Sequence, residues 1–148
     1  MSQDYHHSVT AKVSAQDAYS KVARVSEWWN KKSTGNTREV GDTFKIDWGQ
    51  TWVNFKVIEA VPDKRIVWHV EDCHLPWLKN QTEWKDTKVI WDLSAANGET
   101  EIKITHLGLT PDVECYGACE AGWDFHVGQS LLKLLTEDQG LPDHGKSN

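Results

Sequence analysis

No apolar run in this chain approaches the ~18 residues needed to cross a bilayer, so insertion as a spanning helix is not expected. The opening stretch MSQDYHHSV lacks the charged-then-apolar pattern of an export leader, which makes the cytoplasm the expected location. Basic runs are scarce. Lys31-Lys32 is the longest, and with a net charge of −6 it supplies no stripe for a phosphate backbone, so nucleic acid is not an expected partner. There is no phosphate-cradling glycine loop, no G-x-S-x-G elbow, no H-E-x-x-H and no C-x-x-C. No cofactor or metal is implied, and no catalytic residue is assigned by motif. Repeats, low-complexity tracts and linkers are missing as well. The 148 residues read as a single domain over 1–148, long enough to bury a core without staples.

Cysteine is sparse too. Three residues, Cys73, Cys115 and Cys119, are an odd number, and in a reducing compartment that argues for free thiols. Tryptophan is the exception to all this scarcity, with nine copies. A heavily aromatic core would absorb most of them. The functional alternative is that several line a cavity for an apolar ligand, because small-molecule pockets are mostly apolar and aromatic.

Along the chain, Tyr5–Lys12 reads as a strand. Ser14-Ala-Gln-Asp17 is a capping box that opens a helix over Ala15–Arg24, and Ser26 can cap a short second helix carrying Trp28 and Trp29. Lys31–Gly41 is polar and reads as a loop. Strands follow at Thr43–Trp48 and Thr51–Val61, joined by Gly49-Gln50, then at Ile66–Asp72 after a Pro62 turn. His74–Thr82 is a longer loop with Trp77 in it. Glu83–Ser94 and Thr100–Leu107 flank Asn97-Gly98, the strongest hairpin signal in the chain.

Thr110-Pro111-Asp112 supplies a cap, a first-turn proline and an acid for a final helix ending near Gln139, roughly 40 Å long. One of its stripes carries Tyr116, Cys119, Trp123, Val127 and Leu131, and the other side carries Ala118, Ala121, Phe125 and Gly128. A helix apolar on both faces is buried on both or covers a cavity on one. The fold class is therefore α+β: a curved antiparallel sheet of about six strands around a long C-terminal helix, with two short helices after the first strand.

That order resembles the helix-grip fold of the START-like superfamily, also called SRPBCC or birch-pollen-allergen-like. Four segments narrow the resemblance. Ser26-Glu-Trp-Trp29 is similar to a tryptophan motif after the first helix. Glu59-Ala-Val-Pro-Asp-Lys-Arg-Ile-Val-Trp68 resembles an E-x-x-P-x-x-R-h-x-W hairpin, and Thr105-His-Leu-Gly-Leu109 a T-H-x-G-L strand end. Gly122-Trp123 with Ser130-Leu-Leu-Lys-Leu-Leu135 resembles the C-terminal G-W…S-L-x-x-L-L helix. Together they resemble the activator of heat-shock protein 90 ATPase homologue-like family in its bacterial single-domain form. The resemblance implies a cavity between sheet and helix and lipid-like or polyketide-like ligands. It does not imply one reaction, because the fold also hosts cyclases and chaperone regulators.

The expected cavity lining is Trp29, Phe55, Trp68, Trp91, His106, Cys119, Trp123 and Val127. Strand parity puts Trp52 and Trp84 on the opposite face, and Trp77 would be a lid or an exposed contact. Glu59 is the candidate polar residue, turned inward only if a bulge re-aims it; an outward, solvated position is the commoner outcome. His106 is either a polar anchor or base at the cavity mouth, or a histidine that fixes the strand–helix turn. Cys115 and Cys119 share a helix face with His126 nearby. Zinc ligation is conceivable there, but packing as small buried hydrophobes is the commoner role.

Three functions follow as expectations. The first is a binding domain for a hydrophobic, ring-containing small molecule. The second is a protein-interaction module with a chaperone or homodimer contact. The third is a cyclase- or hydrolase-like enzyme using Glu59 or His106.

Overall fold

The computed structural model describes residues 4–142. Residues 1–3, part of the stretch read for a leader, lie outside them. Seven strands form one antiparallel sheet in the order β1-β7-β6-β5-β4-β3-β2. They are β1 Tyr5–Ala11, β2 Thr34–Gly35, β3 Thr43–Trp48, β4 Thr51–Val61, β5 Arg65–His74, β6 Lys88–Ala96 and β7 Glu99–Leu107. The helices are α1 Ala15–Val22, α2 Val25–Trp28, α3 Tyr116–Phe125 and α4 Leu132–Glu137, with a π-helical segment, His126–Leu131, joining the last two. This is the expected α+β helix-grip architecture, with one strand more than anticipated. The extra strand, β2, is a two-residue edge strand in the polar Lys31–Gly41 stretch, too short and too polar to show a period.

Local chemistry accounts for most boundaries. The Ser14 hydroxyl accepts from the Asp17 N–H at 3.0 Å and starts α1. α2, however, begins one residue before Ser26 and has no side-chain cap. Asn97 and Gly98 both take positive φ, +55° and +78°, as a tight hairpin between right-twisted strands requires. Two register shifts between β4 and β5, at Asn54/Phe55 and Val57/Glu59, bend the sheet. Alternation along β7 buries Ile102, Ile104 and His106 on the concave face.

The final helix differs from expectation at its start. Residues 110–115 form turns, so Pro111 lies outside the helix and Cys115 is the residue before its first turn. The end is close to the expected place. Asp138 closes α4 in the left-handed region, φ 62°, ahead of Gly140. That terminus is latched to α2. Ser130 Oγ donates to the Trp28 carbonyl at 2.5 Å and accepts the Leu141 N–H at 2.7 Å. Gly140 sits so close that a Cβ there would lie 2.3 Å from the Glu27 carbonyl oxygen. Lys21, almost wholly buried, adds ion pairs to Asp17 and Asp138, each at 3.1 Å.

Between sheet and helix lies a continuous aromatic core. Trp28, Trp29, Phe44, Phe55, Trp68, Trp91 and Trp123 are all buried in it. No helix among the described residues is long and apolar enough to cross a membrane.

Candidate functional site: an aromatic cleft beside the helix start

β5 outruns its partner. It pairs with β6 only from Arg65 to His69, while β6 begins at Lys88. The outer half of β5 is met instead by an irregular loop, residues 75–87, through Val70 N–H to the Thr87 carbonyl and Asp86 N–H to the Val70 carbonyl, 2.9 Å each. Where strand pairing stops, the sheet and the start of the helix separate around a cleft of about 570 Å³. Its inner wall is Trp48 and Val53 from the sheet and Trp29 from the end of α2. The helix contributes Ala118, Cys119, Ala121, Gly122, Trp123 and His126, and the loop contributes Leu75, Trp77 and Trp84. Small residues at 118, 121 and 122 leave the room. Trp77, 51% exposed, stands at the edge.

Two carboxylates fasten the loop to the helix start. Glu83 accepts the N–H groups of Glu114 and Cys115 at 2.8 and 3.0 Å, satisfying donors of the turn that leads into the helix. In return, Glu114 accepts the N–H groups of Lys79 and Asn80 at 3.0 and 3.3 Å. Trp84 is thereby held over the cleft, stacked on Trp123 with ring centroids 6.1 Å apart and planes 8° from parallel.

Of the expected lining residues, Trp29, Cys119 and Trp123 border the cleft. Phe55, Trp68, Trp91, His106 and Val127 do not. They are fully buried behind it as packed core. Trp29 is the partition between the two zones, 4.8 Å from Trp123 on the cleft side and 5.8 and 6.3 Å from Phe55 and Trp68 behind. The Phe55, Trp68, Trp91 and Val127 assignments are thus corrected: parity puts them inside, but other rings fill the space in front of them.

His106 is corrected in role. It is wholly buried, and its two ring nitrogens are taken up within the fold. Trp123 Nε1–H can only donate, so His106 Nδ1 accepts at 3.1 Å and the ring proton sits on Nε2. Nε2–H then donates to Thr87 Oγ1 at 2.9 Å, and the Thr87 hydroxyl donates to the Trp84 carbonyl at 2.6 Å. Burial in this apolar setting drives the pKa down from 6.5 to about 3, so the ring is neutral. It positions Trp84 and Trp123 and does not reach the cleft.

Glu59 takes the outward of its two expected positions, so the cavity role is corrected. It sits at the bulge, but the bulge leaves it exposed, 3.4 Å from the Arg65 Nε on the solvent face. Trp84 is the opposite case, expected outside and found lining the cleft. Residues 83–86 are turns and not the start of a strand, so strand parity never applied to Trp84. Trp52 lies beside Lys45, whose Nζ is 5.2 Å from its ring, and away from the cleft.

The free-thiol reading fails for two of the three cysteines. Cys115 and Cys119 form a disulfide across the first turn of α3, their Cα atoms 5.7 Å apart, a separation well suited to a bridge. With the sulfurs joined, neither is a thiolate ligand for zinc. Trp84 Nε1–H donates to Cys115 Sγ at 3.2 Å. Cys73 is a free, buried thiol whose pKa is raised by burial.

Trp48, Leu75, Ala118, Ala121 and His126 were not anticipated as lining. The one usable signal was the small-residue face Ala118/Ala121/Gly122 on a helix otherwise built from large apolar side chains. The carboxylates Glu83 and Glu114 carried no pattern at all.

A curved antiparallel sheet gripping a long C-terminal helix, with an apolar cleft between them, defines a START-like helix-grip protein. The chain belongs to the family described as Activator of Hsp90 ATPase homolog 1-like protein, whose sequence profile matches residues 17–136. Among curated proteins nothing matches. Solved structures share the fold at low identity. The Aha1 dimer from Colwellia psychrerythraea is 21% identical with a TM-score of 0.76, covering 93% of this chain and 99% of that one. CalU16 from Micromonospora echinospora is 15% identical with a TM-score of 0.64, covering 90% and 76%. DynU16, described as a putative protein of the dynemicin biosynthetic locus, is 17% identical with a TM-score of 0.68; the match covers 91% of this chain but 48% of that one.

Proposed function

We propose that the chain is one binding domain, acting in the cytoplasm, whose cleft takes a hydrophobic small molecule containing a flat ring. The carrying observation is the cleft itself: about 570 Å³, with Trp29, Trp84 and Trp123 on its walls and a floor of small helix residues. That volume falls within the range of small-molecule sites, and indole faces favour offset stacking on an aromatic guest. Its family is one whose members generally bind hydrophobic ligands, which supports the same reading. An enzyme reading has less behind it, since Glu59 faces solvent and His106 is spent within the core. Titration with naphthyl and polyketide-like compounds should quench tryptophan fluorescence saturably and raise the melting temperature. A panel that does neither would remove the proposal.

One observation favours a second reading. Trp77 exposes half its surface at the cleft edge, which suits contact with a chaperone or a second copy of the chain. Sedimentation velocity and a chaperone pull-down, each with Trp77→Ala as control, test it; wild type and variant behaving alike in both would dismiss it.

A further inference from the structure

We propose that Cys119 is a thiol-exchange site, at which a small aliphatic thiol or disulfide entering the cleft exchanges with the Cys115–Cys119 disulfide. This rests on the same cleft as the binding proposal but not on any apolar ligand being bound there. The pair is asymmetric. Cys119 borders the cleft and is 8% exposed, whereas Cys115 is 1% exposed and does not border it. Of the two residues, Cys119 is therefore the one a nucleophile arriving through the cleft reaches first. The hidden sulfur already holds a hydrogen-bond donor, the Trp84 indole N–H at 3.2 Å.

These positions define the chemistry. A small thiolate attacks Cys119 Sγ, a new S–S bond forms, and the protein S–S bond breaks. Its electron pair leaves on Cys115 Sγ, where the Trp84 N–H stabilises the charge as it develops. Glu83, engaged by the N–H groups of Glu114 and Cys115, opposes a lasting negative charge at that point. Cys115 is thus a transient leaving group that takes a proton from water or closes again on Cys119. A second small thiol can then attack the small molecule's sulfur in the mixed disulfide and release Cys119 as a thiol. In sum, two small thiols are oxidised to one small disulfide while the protein pair gains two electrons and two protons. A small disulfide runs the sequence backwards and is the oxidant that restores the bridge. Cys73, buried on β5 with its pKa raised by burial, takes no part and serves as the internal control.

The test uses the full chain as Cys115→Ser and Cys119→Ser variants treated with glutathione disulfide, read by intact mass and peptide mapping. Cys115→Ser should gain one glutathionyl group, on Cys119. Cys115 in the Cys119→Ser variant should react about tenfold more slowly or not at all, as buried thiols do, and Cys73 in neither. Thermal melts establish that each variant is folded, and Cys115→Ala repeats the measurement without a hydroxyl. Wild-type protein mixed with glutathione and quenched by alkylation gives the same answer without mutation: the trapped mixed disulfide belongs on Cys119. Equal reactivity of the two positions, or a trapped adduct on Cys115, overturns the proposal. So does an inert Cys119 in folded Cys115→Ser and Cys115→Ala. Titrating the same samples with a naphthyl probe separates the two ideas. Exchange without probe binding removes only the binding proposal, and probe binding without exchange removes only this one.

Discussion

The indole of Trp123 donates its N–H to Nδ1 of His106 at 3.1 Å, and this bond couples the cleft wall to the sheet. Trp123 faces the cleft from the helix, and His106 sits at the end of β7 with Thr87 on its other nitrogen. Helix, sheet and the loop bearing Trp84 therefore meet at one neutral imidazole. Protonating it would put a donor against a donor at Trp123.

That arrangement makes stability acid-sensitive with a defined sign. His106 titrates at about 3 when folded against 6.5 ordinarily, so between those values the unfolded chain binds the extra proton. Its contribution is complete above pH 6.5 and is lost as pH falls toward 3, with a slope of up to about 1.4 kcal/mol per pH unit. Urea melts from pH 7 to pH 4 should show this slope. His106→Phe should flatten it while lowering neutral-pH stability by about 2–4 kcal/mol, because it strands the Trp123 and Thr87 partners. An unchanged slope in His106→Phe would mean that other groups carry the acid sensitivity.

The helix terminus yields a second prediction. Gly140→Ala places a methyl group against the Glu27 carbonyl and Trp28 Cα, both backbone and unable to yield cheaply, and should cost about 2–4 kcal/mol. Ser130→Ala strands the Trp28 carbonyl and Leu141 N–H and should cost about 1–3 kcal/mol. Equilibrium denaturation of each variant decides. Losses below about 0.5 kcal/mol in both, the scale of a surface change, would mean that the latch is slack.

The disulfide should add little to global stability. With the two cysteines four residues apart, the loop it closes is short, and chain entropy gives about 2 kcal/mol at most. Melting with and without a dithiol reductant should show a shift of a few degrees and no loss of folding. Complete unfolding on reduction would assign the bridge a structural role in place of an exchange role.

Much of this fold could be read from residue order. The alternation in Thr51–Val61 and Thr100–Leu107, the Asn97-Gly98 turn and the Ser14 cap are local devices that survive into the structure, whereas the caps expected at Ser26 and Thr110 do not form. The errors have physical causes. A strand period does not extend back to Trp84, because residues 83–86 turn and facing there is set by Glu83 and Glu114 across the cleft. Period turns Phe55, Trp68 and Trp91 inward, but it does not say whether another ring stands in front of them; Trp29 packs on Phe55 and Trp68, and Trp123 on Trp91. An odd cysteine count and a reducing compartment point to free thiols, but the one-turn spacing of Cys115 and Cys119 brings their Cα atoms to 5.7 Å, within reach of a bridge. Glu59 shows that a bulge relocates a side chain without specifying which way it will face.

The central claim is that the cleft between Trp29, Trp84 and Trp123 is a binding site, and the helix face supplies the most direct measurement. Ala118 is exposed at the cleft wall, so Ala118→Trp fills the space without disturbing the core. A naphthyl or polyketide-like ligand should bind wild type with saturable tryptophan quenching and bind Ala118→Trp at least about tenfold more weakly, a loss of about 1.4 kcal/mol. The variant's melting temperature should stay unchanged. Equal affinity for the two proteins would contradict the account and put the ligand elsewhere.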